Sequence, residues 1–108
     1  MALIERETDR LIGDMGFFRV EILGRMENDL GWILDRHAWG KGYATEAGKA
    51  LIETGWDVYG MRRIVANMAF DHLASRGVAE RLGMQLERTF ANPRNRGIET
   101  CLYVIEKP

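Results

Sequence analysis

The spacing of apolar positions changes character several times along the chain, and each change predicts an element. Residues 28–35 place Leu30, Trp32 and Leu34 on one face with Ile33 opposite, the two-residue period of a strand. From Tyr43 to Tyr59 the apolar positions are Ala44, Ala47, Leu51 and Val58, with Thr54 on the same face, which is helical spacing. Gly60 is a natural stop for that helix. Residues 62–70 read as a strand through Ile64, Val65, Ala66, Met68 and Phe70. Asp71 is placed to cap a short helix running to Leu82 and ended by Gly83. Gly77 inside that helix costs about 1 kcal/mol relative to alanine. Residues 84–90 alternate, Asn92-Pro93 and Asn95-Arg96-Gly97 mark a turn, and residues 98–106 form a last strand. At the front, residues 2–7 are short and extended, Asp9-Arg10 reads as a turn, and residues 11–20 read as a strand weakened by two glycines. The order is three strands, helix, strand, helix, hairpin. It predicts an α+β fold, a mixed but mostly antiparallel sheet with two helices packed on it.

Composition narrows the class. A length of 108 residues suits one domain over 1–108. A net charge of -1 without clustered basic residues leaves no electrostatic footprint for nucleic acid or an anionic membrane. No apolar run approaches the roughly 18 residues of a membrane span, and the first residues do not read as a signal peptide. The single cysteine, Cys101, cannot staple the fold, so a reducing, cytoplasmic setting is expected. It lies in an apolar strand and reads as buried packing rather than as a nucleophile. No metal is expected.

Chemistry concentrates at the junction of strand 28–35 and the first long helix, His37-Ala38-Trp39-Gly40-Lys41-Gly42-Tyr43-Ala44. Glycines on either side of a lysine let the backbone turn and bring its N–H groups against a ligand. The first helical N–H groups have no intrahelical partners, and the helix dipole adds about half a positive charge there. This makes an anion site suited to phosphate or pyrophosphate, to which Lys41 adds a mobile charge. It is not a P-loop, because Lys41 lies between the glycines and Tyr43 follows Gly42. It is not a dinucleotide fingerprint either, because Thr45 stands where the third glycine belongs. The alternative is that Gly40 and Gly42 merely make a strand-to-helix turn.

Trp39-Gly40-Lys41-Gly42-Tyr43-Ala44-Thr45-Glu46-Ala47, followed at the right distance by Ala74-Ser75 and Leu82-Gly83-Met84, resembles GNAT-superfamily N-acetyltransferases. The branch is the one resembling ribosomal-protein alanine N-acetyltransferases, and the likeness runs from about Leu3 to Lys107. The resemblance implies acetyl-coenzyme A as cosubstrate and an amine as acceptor, in a small molecule or at a peptide N-terminus. By the same resemblance, Trp39 to Ala44 would cradle the pyrophosphate. Ile33 and Leu34 would pair their backbone with the pantetheine arm like an added strand. His72 stands where the family usually has an asparagine facing the coenzyme, and Ser75 matches a serine near the thioester sulfur. Asp29 sits where the branch often has an acidic residue able to take the amine's proton. Its alternative is a solvated aspartate at a strand start. Glu46 is a second acidic candidate, read in preference as a favourable charge at a helix N-terminus, and His37 reads as an exposed loop residue rather than a catalytic base.

Departures from the family pattern qualify these roles. His37 replaces an arginine or glutamine, His72 the asparagine, and Ala79 a tyrosine that in many relatives protonates the leaving thiolate. A full family domain begins with a strand and two helices before the segment matching residues 2–7, so the expectation is of an N-terminally truncated domain. An uncovered strand edge and bare apolar surface then predict a homodimer or larger assembly. Three functional readings remain: an active N-acetyltransferase, a coenzyme binder without turnover, and a dimeric scaffold.

Overall fold

The computed structural model describes residues 2–5, 10–38, 40 and 42–108. Six strands form one sheet: β1 (Ala2–Glu5), β2 (Arg10–Ile22), β3 (Arg25–Leu34), β4 (Arg63–Ala69), β5 (Gln85–Asn92) and β6 (Ile98–Glu106). Their spatial order is β1-β2-β3-β4-β6-β5. Every neighbouring pair is antiparallel except β3 with β4. Helices α1 (Tyr43–Asp57) and α2 (Leu73–Arg81) supply the two crossings. This is the mixed, mostly antiparallel α+β sheet that the apolar pattern predicts.

The strand period divides the sheet into two faces. Met15, Leu30, Ile64, Ala66, Cys101 and Tyr103 are buried together with Ala44 and Ile52 of α1 and Val78 and Ala79 of α2. As expected, Leu30 lies on this face, with Trp32 and Leu34 packed against the core, while Ile33 is exposed. Cys101 is fully buried, and burial pushes its thiol pKa up, which suits packing. The opposite face buries Val65, Thr100 and Leu102. Side chains from the β2–β3 and β5–β6 hairpins line one cleft across it, so this face is concave.

Several details differ from the sequence-based expectation, each for a physical reason. The second hairpin runs on to a two-residue turn at Leu23 and Gly24, both with positive φ, as a type I′ turn requires. Leucine is a poor signal for such a turn, so β2 and β3 are longer than expected. Arg10, expected in a turn, opens β2, whereas Asp9 lies outside the described residues. Helix α1 ends at Asp57, and Val58 is exposed rather than on the buried stripe. That stripe is Ala44, Gly48, Ile52 and Gly55. The glycines carry no hydrophobic signal but permit close approach: a Cβ on Gly48 would lie 2.8 Å from Leu82. The cap of α2 is His72, not Asp71. His72 N donates to Ala69 O, closing a turn that leaves His72 itself in non-helical geometry before the first helical residue.

The parallel junction is held from one side. Arg63 donates through Nε and Nη2 to both carboxylate oxygens of Glu27, at 3.0–3.3 Å, and also reaches Glu87 on β5. Asn28 Nδ2 donates to Arg63 O at 3.1 Å. Glu27 is only 4% exposed, so its charge depends on this partner. Arg63→Ala should therefore destabilise by about 3–5 kcal/mol, read as a lower urea midpoint at unchanged slope. Adding Glu27→Leu should recover much of that loss. Equal stability of Arg63→Ala and the wild type would show that the clasp contributes nothing.

Candidate active site

Just beyond this clasp the two parallel strands part. Asp29 and Val65 are the one described register pair between β3 and β4. From there to Leu34, β3 keeps its register with β2, while β4 keeps its register with β6 to Ala69. The gap opens on both faces. On the helix-bearing face it becomes a cleft of about 400 Å³ lined by Trp32, Ile33 and Leu34 of β3, by Gly40, and by α2 and its cap from His72 to Arg81. A second cleft of about 500 Å³ continues from it around the start of α1, sharing Gly40 and Arg81 and adding Gly42, Thr45, Glu46 and Lys49.

The glycine loop has the geometry its composition implies. Gly40 and Gly42 both have positive φ, 76° and 80°, a region that disfavours residues with a Cβ. Gly42 is the N-cap of α1 and brings no side-chain cap, and Gly42, Thr45 and Glu46 of the helix start line the second cleft. Ala44 is buried and Tyr43 packs against the core, so side-chain packing fixes the helix end in place. Trp39 and Lys41, both candidate ligands, lie outside the described residues. The side chain of His37 is likewise not described.

On α2, Ser75 N donates to His72 Nδ1 at 3.2 Å. In the neutral ring this leaves the proton on Nε2. His72 and Ser75 both line the first cleft, with Ile33 and Leu34 on its other wall. The structure thus brings together Ile33, Leu34, Gly40, His72 and Ser75, and Gly42 joins them through the adjoining cleft.

Asp29 is elsewhere. Its face is the concave one, where it borders two clefts. One, of about 400 Å³, is lined by Val20, Ile22, Asn67, Phe90, Asn92 and Arg94 among others. The other, of about 290 Å³, lies over Gly16, Phe18, Gly31 and Ile33. Asp29 and Ser75 therefore do not share a cavity. Trp32 and Ile33, which border both sides, separate them. Asn67 Nδ2 donates to Asp29 Oδ2 at 3.1 Å, while Oδ1 is buried with no hydrogen-bond partner among the described residues. Burial pushes the Asp29 carboxyl up to about 6, with the Glu27 charge adding to the rise and the Asn67 hydrogen bond opposing it. Asp29 is thus not a solvated strand-start residue.

Two functional candidates were not legible as such. Asn67 contacts Asp29 across 38 positions of sequence, so no local pattern reports it. Arg81 lines both of the adjoining clefts that share Gly40, and its Nε donates to Thr45 Oγ1 at a long 3.4 Å. Its place on the exposed flank of a short helix gives no signal without the fold. Among the described residues no cluster of His, Cys, Asp or Glu could hold a metal ion, and no helix is long and apolar enough to cross a membrane.

By its match to a family model the chain belongs to the GNAT acetyltransferase family. The acetyltransferase (GNAT) domain family matches residues 1–85. The uncharacterized N-acetyltransferase YnaD of Bacillus subtilis (strain 168) is 32% identical over 88 residues, 82% of this chain and 51% of that protein. A GNAT-family acetyltransferase from Bacillus anthracis superposes with a TM-score of 0.81 at 26% identity, over 97% of this chain and 64% of that one. The microcin C7 self-immunity acetyltransferase MccE, solved with acetyl-CoA and AMP, matches at a TM-score of 0.68 and 25% identity, over 75% of this chain and 47% of that one. The chain thus spans about half to two thirds of the length of these relatives.

The Asp29 environment has a consequence for stability. Its folded pKa of about 6 lies above the ordinary 3.8, so the protonated form is favoured in the fold. Its contribution is fully present below about pH 4 and is lost as pH rises through 6. At pH 7 the ionised group costs up to about 3 kcal/mol. Asp29→Asn should gain stability over the wild type by up to that amount between pH 4 and pH 7, measured by denaturation at each pH. A difference that stays flat with pH would show that the carboxyl is not perturbed.

Proposed function

We propose that this chain binds acetyl-coenzyme A along the two joined clefts and transfers the acetyl group to a primary amine that enters from the concave face. The observation that carries this reading is the opening of β3 from β4 at Asp29, with a donor-side cleft on one face and a buried carboxylate on the other. In this reading the backbone of Ile33 and Leu34 lies along the pantetheine arm, as an added strand does. Gly40, Gly42, Tyr43 and Ala44 offer backbone N–H groups to the pyrophosphate at the helix start. Trp39 and Lys41 belong to the same loop. Arg81, reaching over both clefts, adds a cation for the phosphates. His72 faces the coenzyme through Nε2–H, and Ser75 offers its hydroxyl near the thioester.

The reaction would be direct attack. Asp29 takes one proton from the ammonium form of the acceptor, freeing the nitrogen lone pair. The lone pair forms the N–C bond at the thioester carbonyl. The C–S bond breaks with its electron pair leaving on sulfur, and the second amine proton passes to solvent. The thiolate, with an ordinary pKa of about 8.5, needs no dedicated acid. A second reading, coenzyme binding without turnover, draws on one observation: Asp29 and Ser75 line different clefts.

Calorimetric titration should give a saturable acetyl-coenzyme A signal. Gly42→Val, which forces a β-branched residue to a φ of 80°, should remove that signal while leaving the folded circular-dichroism spectrum. Retained binding in Gly42→Val would displace the pyrophosphate from this loop. In an amine-panel assay with free-thiol detection, Asp29→Asn should lower kcat by roughly 10²–10⁴-fold with little change in acetyl-coenzyme A affinity. Coenzyme binding with no thiol release from any amine would favour the second reading.

We also expect self-association. Phe18 and Ile33 are 59% and 78% exposed on the concave side of the β2–β3 hairpin, and a second copy of the chain would cover them. Light scattering at micromolar concentration should report a dimer or larger species. A monomer would overturn this expectation.

A further inference from the structure

We infer that Asn67 is a positioning residue for proton transfer: by holding Oδ2 it fixes the orientation of the Asp29 carboxyl at the edge of the concave cleft that both residues line. The inference rests on the reading of Asp29 as the base and extends it to a residue on a different strand.

The geometry comes from the parallel junction. Val65 is paired with Asp29, and Asn67 is two residues further along β4, on the same face. It therefore stands one step beyond the point where the strands part. An amide at this step can still reach back to Asp29, and it does, with Nδ2 to Oδ2 at 3.1 Å. The same amide lines the concave cleft beside Asp29. Only one carboxylate oxygen is satisfied. A buried carboxylate oxygen without a donor is costly, and native folds rarely leave one. Here it is the oxygen that Asn67 does not hold. An acceptor ammonium in the cleft gives up its proton to a carboxyl whose orientation the Asn67 amide sets.

Asn67 also bears on the charge state. A hydrogen bond to the ionised form favours ionisation, opposing the burial of Asp29. The other charged groups around Asp29 lie at the edges of its environment. Glu27, on the same strand, is neutralised by Arg63 of β4, which is also paired with Glu87 of β5. Glu21 and Arg94 line the same cleft from β2 and the turn after β5, and Asp14 borders the neighbouring one. Asn67 is the only one of these flanking residues with a described hydrogen bond to the Asp29 carboxylate. A leucine would fill a similar volume without a donor. It would free the carboxylate to rotate and would raise its pKa.

The test compares pH profiles of kcat/KM for the wild type, Asn67→Leu, Asn67→Ser and Asp29→Asn, using the best amine from the panel. The acid limb should move to higher pH by about one unit in Asn67→Leu. In the same variant kcat at neutral pH should fall at least tenfold, with acetyl-coenzyme A affinity unchanged. Asn67→Ser, which keeps a short donor, should fall between Asn67→Leu and the wild type. Carboxyl carbon NMR of Asp29 without substrate should show the same shift, independently of turnover and in whichever variant folds. An unmoved acid limb and an unmoved NMR titration in both Asn67 variants would overturn the inference and leave Asn67 a structural strut. If Asp29→Asn instead keeps the wild-type acid limb and rate, the base reading itself fails, whatever Asn67 does.

Discussion

The molecule depends on one parallel strand pairing that starts and then stops. Glu27, Asn28 and Asp29 of β3 are each tied to β4, through Arg63 side chain, Arg63 carbonyl, and Val65 with Asn67 respectively. After that the strands diverge. An antiparallel pair zipped from end to end would leave no gap, and an unheld pair would let water into the core at Leu30 and Val65. The clasp is what allows an opening in the middle of a sheet. Its ionic part is buried, so it is unforgiving of the loss of either partner, and it keeps a negative charge within range of Asp29.

The opening fixes where chemistry can occur. Successive residues of a strand face opposite sides, so Trp32 and Leu34 build the core while Asp29 and Ile33 address the concave face. The clefts on the helix-bearing face, which the proposal assigns to the coenzyme, run between β3, α2 and the start of α1 and are bordered by Arg81. The cleft on the concave face, where the proposed acceptor would enter, is walled by Val20, Ile22 and Phe90 and carries the Asp29–Asn67 pair. Two ligands could meet at the gap without either crossing the core. This separation accounts for Asp29 and Ser75 lining different cavities within one proposed site.

What could be read from the chain alone follows from which interactions are local. The strand alternation at Leu30, Trp32 and Leu34, the start of α1 at Tyr43, and the glycine loop are all local signals, and all were legible. The turn at Leu23-Gly24 was not, because a leucine with positive φ contradicts its own propensity and is held there by the flanking ladder. The buried face of α1 was half legible: glycines that let the helix approach Leu82 and Phe17 have no hydropathy to detect. The cap of α2 was misplaced by one residue because histidine is a rarer cap than aspartate, and the turn from Ala69 decided it. Asn67 and Arg81 were not legible as candidates, since their contacts are with partners 36 or more positions away.

The strongest functional sign is therefore a local misfit that the fold tolerates. A buried carboxylate with one unsatisfied oxygen lowers stability at neutral pH, and an asparagine or a leucine in its place would relieve the strain at no cost to the core. Natural sequences keep such conflicts mainly where activity requires them. At Asp29 the conflict sits at the one point where the sheet opens, facing a cleft rather than the packed face. Asn67 of β4 satisfies one of its oxygens and leaves the other buried without a described donor. A residue serving only to start a strand has no need of that arrangement, whereas a base that must accept a proton near neutral pH does.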